Sequence, residues 1–77
     1  MAKLSDLQVG QSALIENISP DCDKKVKQRL RDMGFVAGEE VLVKKKALFG
    51  DPIKIILKNY ELTIRKKEAD LINIKNV

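Results

Sequence analysis

Asp21, Cys22 and Asp23 are the tightest grouping in this sequence of side chains able to hold a metal or move a proton. A transition-metal ion needs histidine, carboxylate or thiolate donors that converge from separate parts of a chain. Three adjacent residues rarely enclose an ion without a distant partner, and no two carboxylates elsewhere stand four residues apart, where one helix face would present both. Histidine is absent, which removes the commonest nitrogen ligand and His-dependent nucleophilic catalysis together. Aspartates, glutamates, lysines and Tyr60 are capable of acid–base work, but no spacing concentrates them. Gly10, Gly34, Gly38 and Gly50 do not fall in a phosphate-loop pattern and read as turns. The sequence therefore implies no catalytic residue, no metal ligand set and no cofactor. Cys22 reads as a small apolar filler at a helix start, because its two aspartate neighbours oppose thiolate formation.

What remains is surface chemistry. Leu48 and Phe49 form a bulky apolar pair on a glycine turn, where they either anchor a protein contact or fold over the core. Lys27, Arg29 and Arg31 present cations on a helix and are suited to an acidic partner or to plain solvation. These five residues are the candidate partner-binding set.

The elements that position them follow from periodicity. Leu4, Leu7 and Val9 lead into Gly10 as a short turn folded on the core. Residues 11–18 alternate like a half-buried strand, with apolar residues on both faces. Ser19-Pro20-Asp21 reads as a helix start, with Ser19 as cap and Pro20 in the first helical position. Cys22, Val26, Leu30 and Met33 recur at helical spacing over about three turns. Gly34 then stands where a left-handed C-terminal cap is expected, with Phe35 folding back on the last turn.

Residues 40–47 form the next strand, with Val41 and Val43 inward and Lys44-Lys45-Lys46 running out into solvent. Past the Gly50-Asp51-Pro52 corner, Ile53, Ile55 and Leu57 alternate inward. Asn59-Tyr60 is a hairpin candidate, because asparagine tolerates positive φ. Leu62 and Ile64 follow on a returning strand, then a single helical turn over residues 66–70, then a closing strand with Leu71, Ile72 and Ile74. The expected fold is mainly β: a small closed barrel of about five strands with one α-helix inserted after the first strand.

The chain has 77 residues, consistent with one domain spanning 1–77 and a small core. Fifteen basic residues against eleven acidic ones give a net charge of +4, enough to steer an acidic partner but not to specify nucleic acid. A lone cysteine implies a reducing compartment. No apolar run approaches a membrane span, and residues 1–6 lack a signal-peptide core, so no membrane insertion and a cytoplasmic location are expected.

Four motifs in order carry a resemblance: Leu4-x-x-Leu7-x-x-Gly10; Arg29-Leu30-x-x-Met33-Gly34-Phe35-x-x-Gly38; Gly50-Asp51-Pro52; and Tyr60-Glu61-Leu62-Thr63-Ile64-Arg65-Lys66. Together they resemble the ferrous iron transport protein A family, FeoA, over essentially the whole chain. The resemblance implies an SH3-like barrel with a helical insertion. It also implies a cytoplasmic accessory role, with the cytosolic GTPase-bearing domain of the ferrous iron transport protein B family as partner. Leu48 and Phe49 stand where the family pattern usually has proline and leucine, Ala37 replaces a common proline, and Asn59 replaces a glycine.

Two other classes compete. A nucleic-acid-binding barrel needs a basic groove and stacking aromatics, whereas only Phe35, Phe49 and Tyr60 are aromatic and acidic residues break up most basic clusters. A stand-alone relative of the SH3-like domain of iron-dependent repressors, with weak transition-metal binding, is the other. The DNA-reading helix-turn-helix and metal site that accompany that domain are missing from the motifs. Nothing in the sequence sets an oligomeric state.

Overall fold

The computed structural model describes residues 2–76. One antiparallel sheet holds six strands: β1 (Ala2–Lys3), β2 (Ser12–Ile18), β3 (Glu40–Lys46), β4 (Ile53–Leu57), β5 (Tyr60–Ile64) and β6 (Ile72–Asn76). Helix α1 (Lys24–Asp32) lies between β2 and β3, and the single turn α2 (Lys66–Ala69) lies between β5 and β6. The strand order β1-β6-β2-β3-β4-β5 makes β1 and β5 the two edges, so the sheet is open. This corrects the expectation of a closed five-strand barrel. Ala2 and Lys3 pair with Ile74 and Asn73, and the helix consequently follows the second strand rather than the first.

The sheet still curls around one core. Ala13, Ile15, Val41, Val43, Ile53, Ile55, Leu57, Ile64, Ile72 and Ile74 are buried together with Leu4, Leu7, Leu30, Phe35 and Ala69. Extents of 28 × 25 × 24 Å fit a curled sheet with its helices rather than a flat layer.

Two β-bulges decide which side chains reach that core. In β2 the register against β6 slips between Ile15 and Asn17, leaving Glu16 as the extra residue. Ile15 and Ile18 both face inward as a result, which explains the apolar residues on both faces of the alternation. In β3 the register against β4 slips between Val43 and Lys45, with Lys44 extra. Lys46 then pairs with the buried Ile53 and shares its inner face, so only part of the lysine run enters solvent. Lys46 is half-buried, and its Nζ donates to the Ser5 carbonyl at 3.3 Å, across the end of the sheet.

Helix α1 begins later than the Ser-Pro signal implies. Asp23 is the N-cap, its carboxylate accepting from the Lys25 N–H at 2.8 Å. Ser19 is held in the sheet by its N–H donating to the Leu71 carbonyl at 2.6 Å, and its carbonyl accepts from Cys22 N–H at 3.1 Å. Pro20 therefore sits in a turn before the helix. The other end matches expectation: Phe35 N–H donates to Leu30 O at 3.1 Å and Gly34 N–H to Arg31 O at 2.9 Å, the paired bonds of a Schellman cap.

The β4–β5 hairpin turns one residue earlier than expected, at Lys58-Asn59 with φ of 53° and 68°, the positive pair of a type I′ turn. That leaves Tyr60 as the first residue of β5, with its hydroxyl donating to the Met33 carbonyl at 2.7 Å. The hairpin is thereby fastened to the helix cap. Gly34 is buried there at φ 109°, and a Cβ on it would stand 3.3 Å from Leu57 Cδ2 and 3.4 Å from Tyr60 Oη. On the outer face Lys44 forms an ion pair with Glu61 across β4.

Gly34→Ala should destabilise the fold by about 1–3 kcal/mol, read by urea unfolding, because backbone strain and crowding act at the same position. Tyr60→Phe should cost about 1 kcal/mol by the loss of one hydrogen bond. The hydrogen bond from Lys44, and then its charge, hold the Glu61 carboxyl below the usual glutamate range. Its folded-state pKa is depressed, so the contribution to stability is present above the unfolded pKa and is lost as pH falls through the folded one. Carboxyl NMR titration should show a low midpoint for Glu61 that Lys44→Gln raises toward the ordinary range, with Lys54 still holding it down slightly.

Candidate functional site

The turn between β3 and β4 carries the most exposed large apolar side chains of the described residues. Leu48 is 80% exposed and Phe49 is 93% exposed, so the pair stands in solvent instead of covering the core. The local backbone holds it there. Gly50 N–H donates to Ala47 O at 2.8 Å, Ala47 N–H donates to Pro52 O at 3.0 Å, and the Asp51 carboxylate accepts from Lys66 N–H at 3.0 Å. The turn is thus tied both to itself and to α2.

Phe49 adopts φ 64°, a left-handed conformation that costs a side-chain-bearing residue about 1–2 kcal/mol. A buried phenylalanine would offset that cost by packing; this one buries almost nothing. The fold gains no stability from an aromatic residue at this position, where glycine or asparagine would sit more easily.

A charged groove of about 470 Å³ adjoins the turn, lined by Arg29, Asp51, Arg65, Lys67 and Glu68. Glu68 lies low in it, with its side chain 14% exposed, and it is fully engaged: one oxygen accepts from Arg29 and the other from Arg65 N–H at 2.9 Å. Arg65 and Lys67 make no ion pair among the described residues. Through Asp51 the apolar tip and this mainly cationic groove form one continuous surface.

The structure divides the candidate set. Leu48, Phe49 and Arg29 belong to the surface just described. Lys27 and Arg31, four residues apart on α1, turn to the other side of the helix, toward Glu16, Asn17, Ile18, Phe35, Val36 and Ala37. Arg29 is two residues from each of them and cannot share their face. Arg65 and Lys67 were missed by sequence reasoning, because a four-residue helix gives no periodic signal and their nearness to the turn depends on the Asp51–Lys66 bond.

The turn residues fall as follows. Gly10, Gly34, Gly38 and Gly50 all have positive φ, as does Asn59. Cys22 is half-buried against the core, and Leu30 is fully buried. Among the described residues no three His, Cys, Asp or Glu side chains converge as a metal site, and no helix is long and apolar enough to cross a membrane.

Comparison with known proteins agrees with this architecture. The FeoA domain family matches residues 2–76. The solution structure of FeoA protein from Chlorobium tepidum is 33% identical, with a TM-score of 0.87 over 99% of this chain and 70% of that one. Iron(II) transport protein A from Clostridium thermocellum is 39% identical, with a TM-score of 0.89 over 99% of this chain but 46% of its own. The zinc complex of FeoA from Stenotrophomonas maltophilia, an SH3 domain protein and candidate ferrous iron transport activating factor, is 28% identical with a TM-score of 0.85, over 97% of this chain and 91% of that one. A manganese-dependent transcriptional repressor shares the fold alone, at 16% identity and a TM-score of 0.87 over 99% of this chain and 41% of its own. No curated protein matches the sequence at a significant level. A family match over nearly every residue, on an open SH3-like sheet of the same shape, leads to one conclusion: this chain belongs to the FeoA family, which is linked to ferrous iron transport.

Proposed function

We propose that this chain is a non-enzymatic interaction module of ferrous iron uptake. It docks in the cytoplasm on the cytosolic GTPase-bearing domain of a ferrous iron transport protein B partner. The observation that carries this reading is Phe49, held 93% exposed at φ 64° beside a largely unburied Leu48. A strained, solvent-facing aromatic has no folding purpose, whereas an aromatic and an aliphatic side chain projecting together make a suitable interface anchor. Burying both would contribute about 4–5 kcal/mol, which supports a weak, reversible contact rather than an obligate complex. Arg65 and Lys67 beside the tip favour a partner surface that is acidic around an apolar pocket.

The nucleic-acid alternative has less support. Phe35 is buried, which leaves Phe49 and the partly exposed Tyr60, at opposite ends of β4, where a stacking platform needs several neighbouring aromatics.

Titration of the partner's GTPase domain with variants of this chain tests the reading. Phe49→Asn and Leu48→Ser should each weaken docking about tenfold or more. Phe49→Asn should also leave unfolding stability unchanged or raise it by up to about 1 kcal/mol, because it relieves the backbone. Docking unaffected by both substitutions would refute the anchor role.

A further inference from the structure

We infer that the groove between α1 and the end of β2 is a second recognition site, one that takes an extended acidic segment of a partner protein. The inference rests on the reading of this chain as an interaction module but uses a different face from the Leu48–Phe49 tip. The groove measures about 210 Å³ and has two unlike walls. Lys27 and Arg31 form the helical wall, one turn apart, and neither makes an ion pair among the described residues. Phe35, Val36 and Ala37 form the apolar wall, with Val36 39% exposed and the buried Phe35 behind it.

Strand β2 borders the groove, and its pairing explains why the space is open. On the β3 side, pairing runs from Ser12 to Leu14 and ends where Ile15 exchanges bonds with Glu39 O and Gly38 N–H at 2.8 and 2.9 Å. Beyond Ile15, residues Glu16 to Ile18 keep a strand neighbour only on the β6 side. A strand end with one vacant side, next to two unpaired cations and an apolar wall, suits an extended chain with alternating side chains. Carboxylates would meet Lys27 and Arg31 while intervening apolar side chains pack on Val36. Glu16, the bulge residue, is the carboxylate lining the groove, so two cations face one anion and the net attraction is for acid. Lys27 is half-buried, which limits the side-chain freedom lost on engaging a ligand.

The test is amide chemical-shift mapping of the full chain with a short blocked peptide alternating glutamate and leucine, and a lysine-for-glutamate peptide as control. The acidic peptide should shift the amides of Glu16, Asn17, Ile18, Val36 and Ala37 at up to millimolar concentration, and should bind more weakly as salt rises. Lys27→Gln with Arg31→Gln should weaken it by at least about fivefold while preserving the dispersed spectrum of the fold, since both are surface helix positions with good helix formers replacing them. Phe49→Asn should leave peptide binding unchanged, so that failure of the tip and failure of the groove are read separately. Shifts that map elsewhere, equal shifts from the lysine peptide, or undiminished binding by the double glutamine variant would each overturn the site.

Discussion

The join at Gly34 is the constraint on which the arrangement of this molecule depends. Three bonds meet there: the two Schellman bonds that end α1 and the Tyr60 hydroxyl on the Met33 carbonyl. A helix of nine residues has little stability of its own and needs tertiary contacts to persist. Leu30 and Phe35 supply these by burial, and the hydroxyl from β5 fixes the helix end against the far side of the sheet. Glycine suits the position because its backbone stands at φ 109° and a Cβ would crowd Leu57. Once the helix end is fixed, Arg29 reaches Glu68 on one side and Lys27 and Arg31 border β2 on the other.

The same local economy sets the second feature, the apolar tip. Its turn is short, bonded at both ends, and anchored to α2 through Asp51. A loop that was merely tolerated could relax Phe49 toward the core or replace it with a residue at ease in left-handed backbone. The fold instead keeps an expensive conformation and a hydrophobic residue in water, a pairing better explained by an outside partner than by folding. The core is built from aliphatic strands and helix ends, and Phe49 takes no part in it.

Much of this fold was legible in the sequence, for physical reasons that can be named. Val41, Val43, Ile53, Ile55 and Leu57 alternate without interruption and all are buried. The Gly34-Phe35 cap was legible because a glycine after an apolar helical stripe has few other uses. The bulges at Glu16 and Lys44 were not, since an inserted residue shifts the pattern without a marker of its own, and the β2 pattern read as two apolar faces. The two-residue β1 was hidden for a different reason: its pairing partner lies at the opposite end of the chain. Sheet closure was misjudged because even spacing of short strands does not reveal whether the edges meet. For the site, Leu48 and Phe49 stood out as residue types, but their exposure depends on a turn geometry that composition does not encode. The separation of Arg29 from Lys27 and Arg31 was implicit in helical spacing and needed only the neighbours of each face.

On the proposed reading, the tip between β3 and β4 is the primary anchor for an outside partner, and the outer face of the sheet is not. Mapping amide shifts of the labelled chain while the GTPase domain of the proposed partner is added at low salt tests that reading most directly. The account predicts that the largest changes fall on residues 47–51, with smaller ones at Arg65 and Lys67. Absence of any change at high micromolar partner, or changes confined to the outer face of β2, β3 and β4, would contradict it.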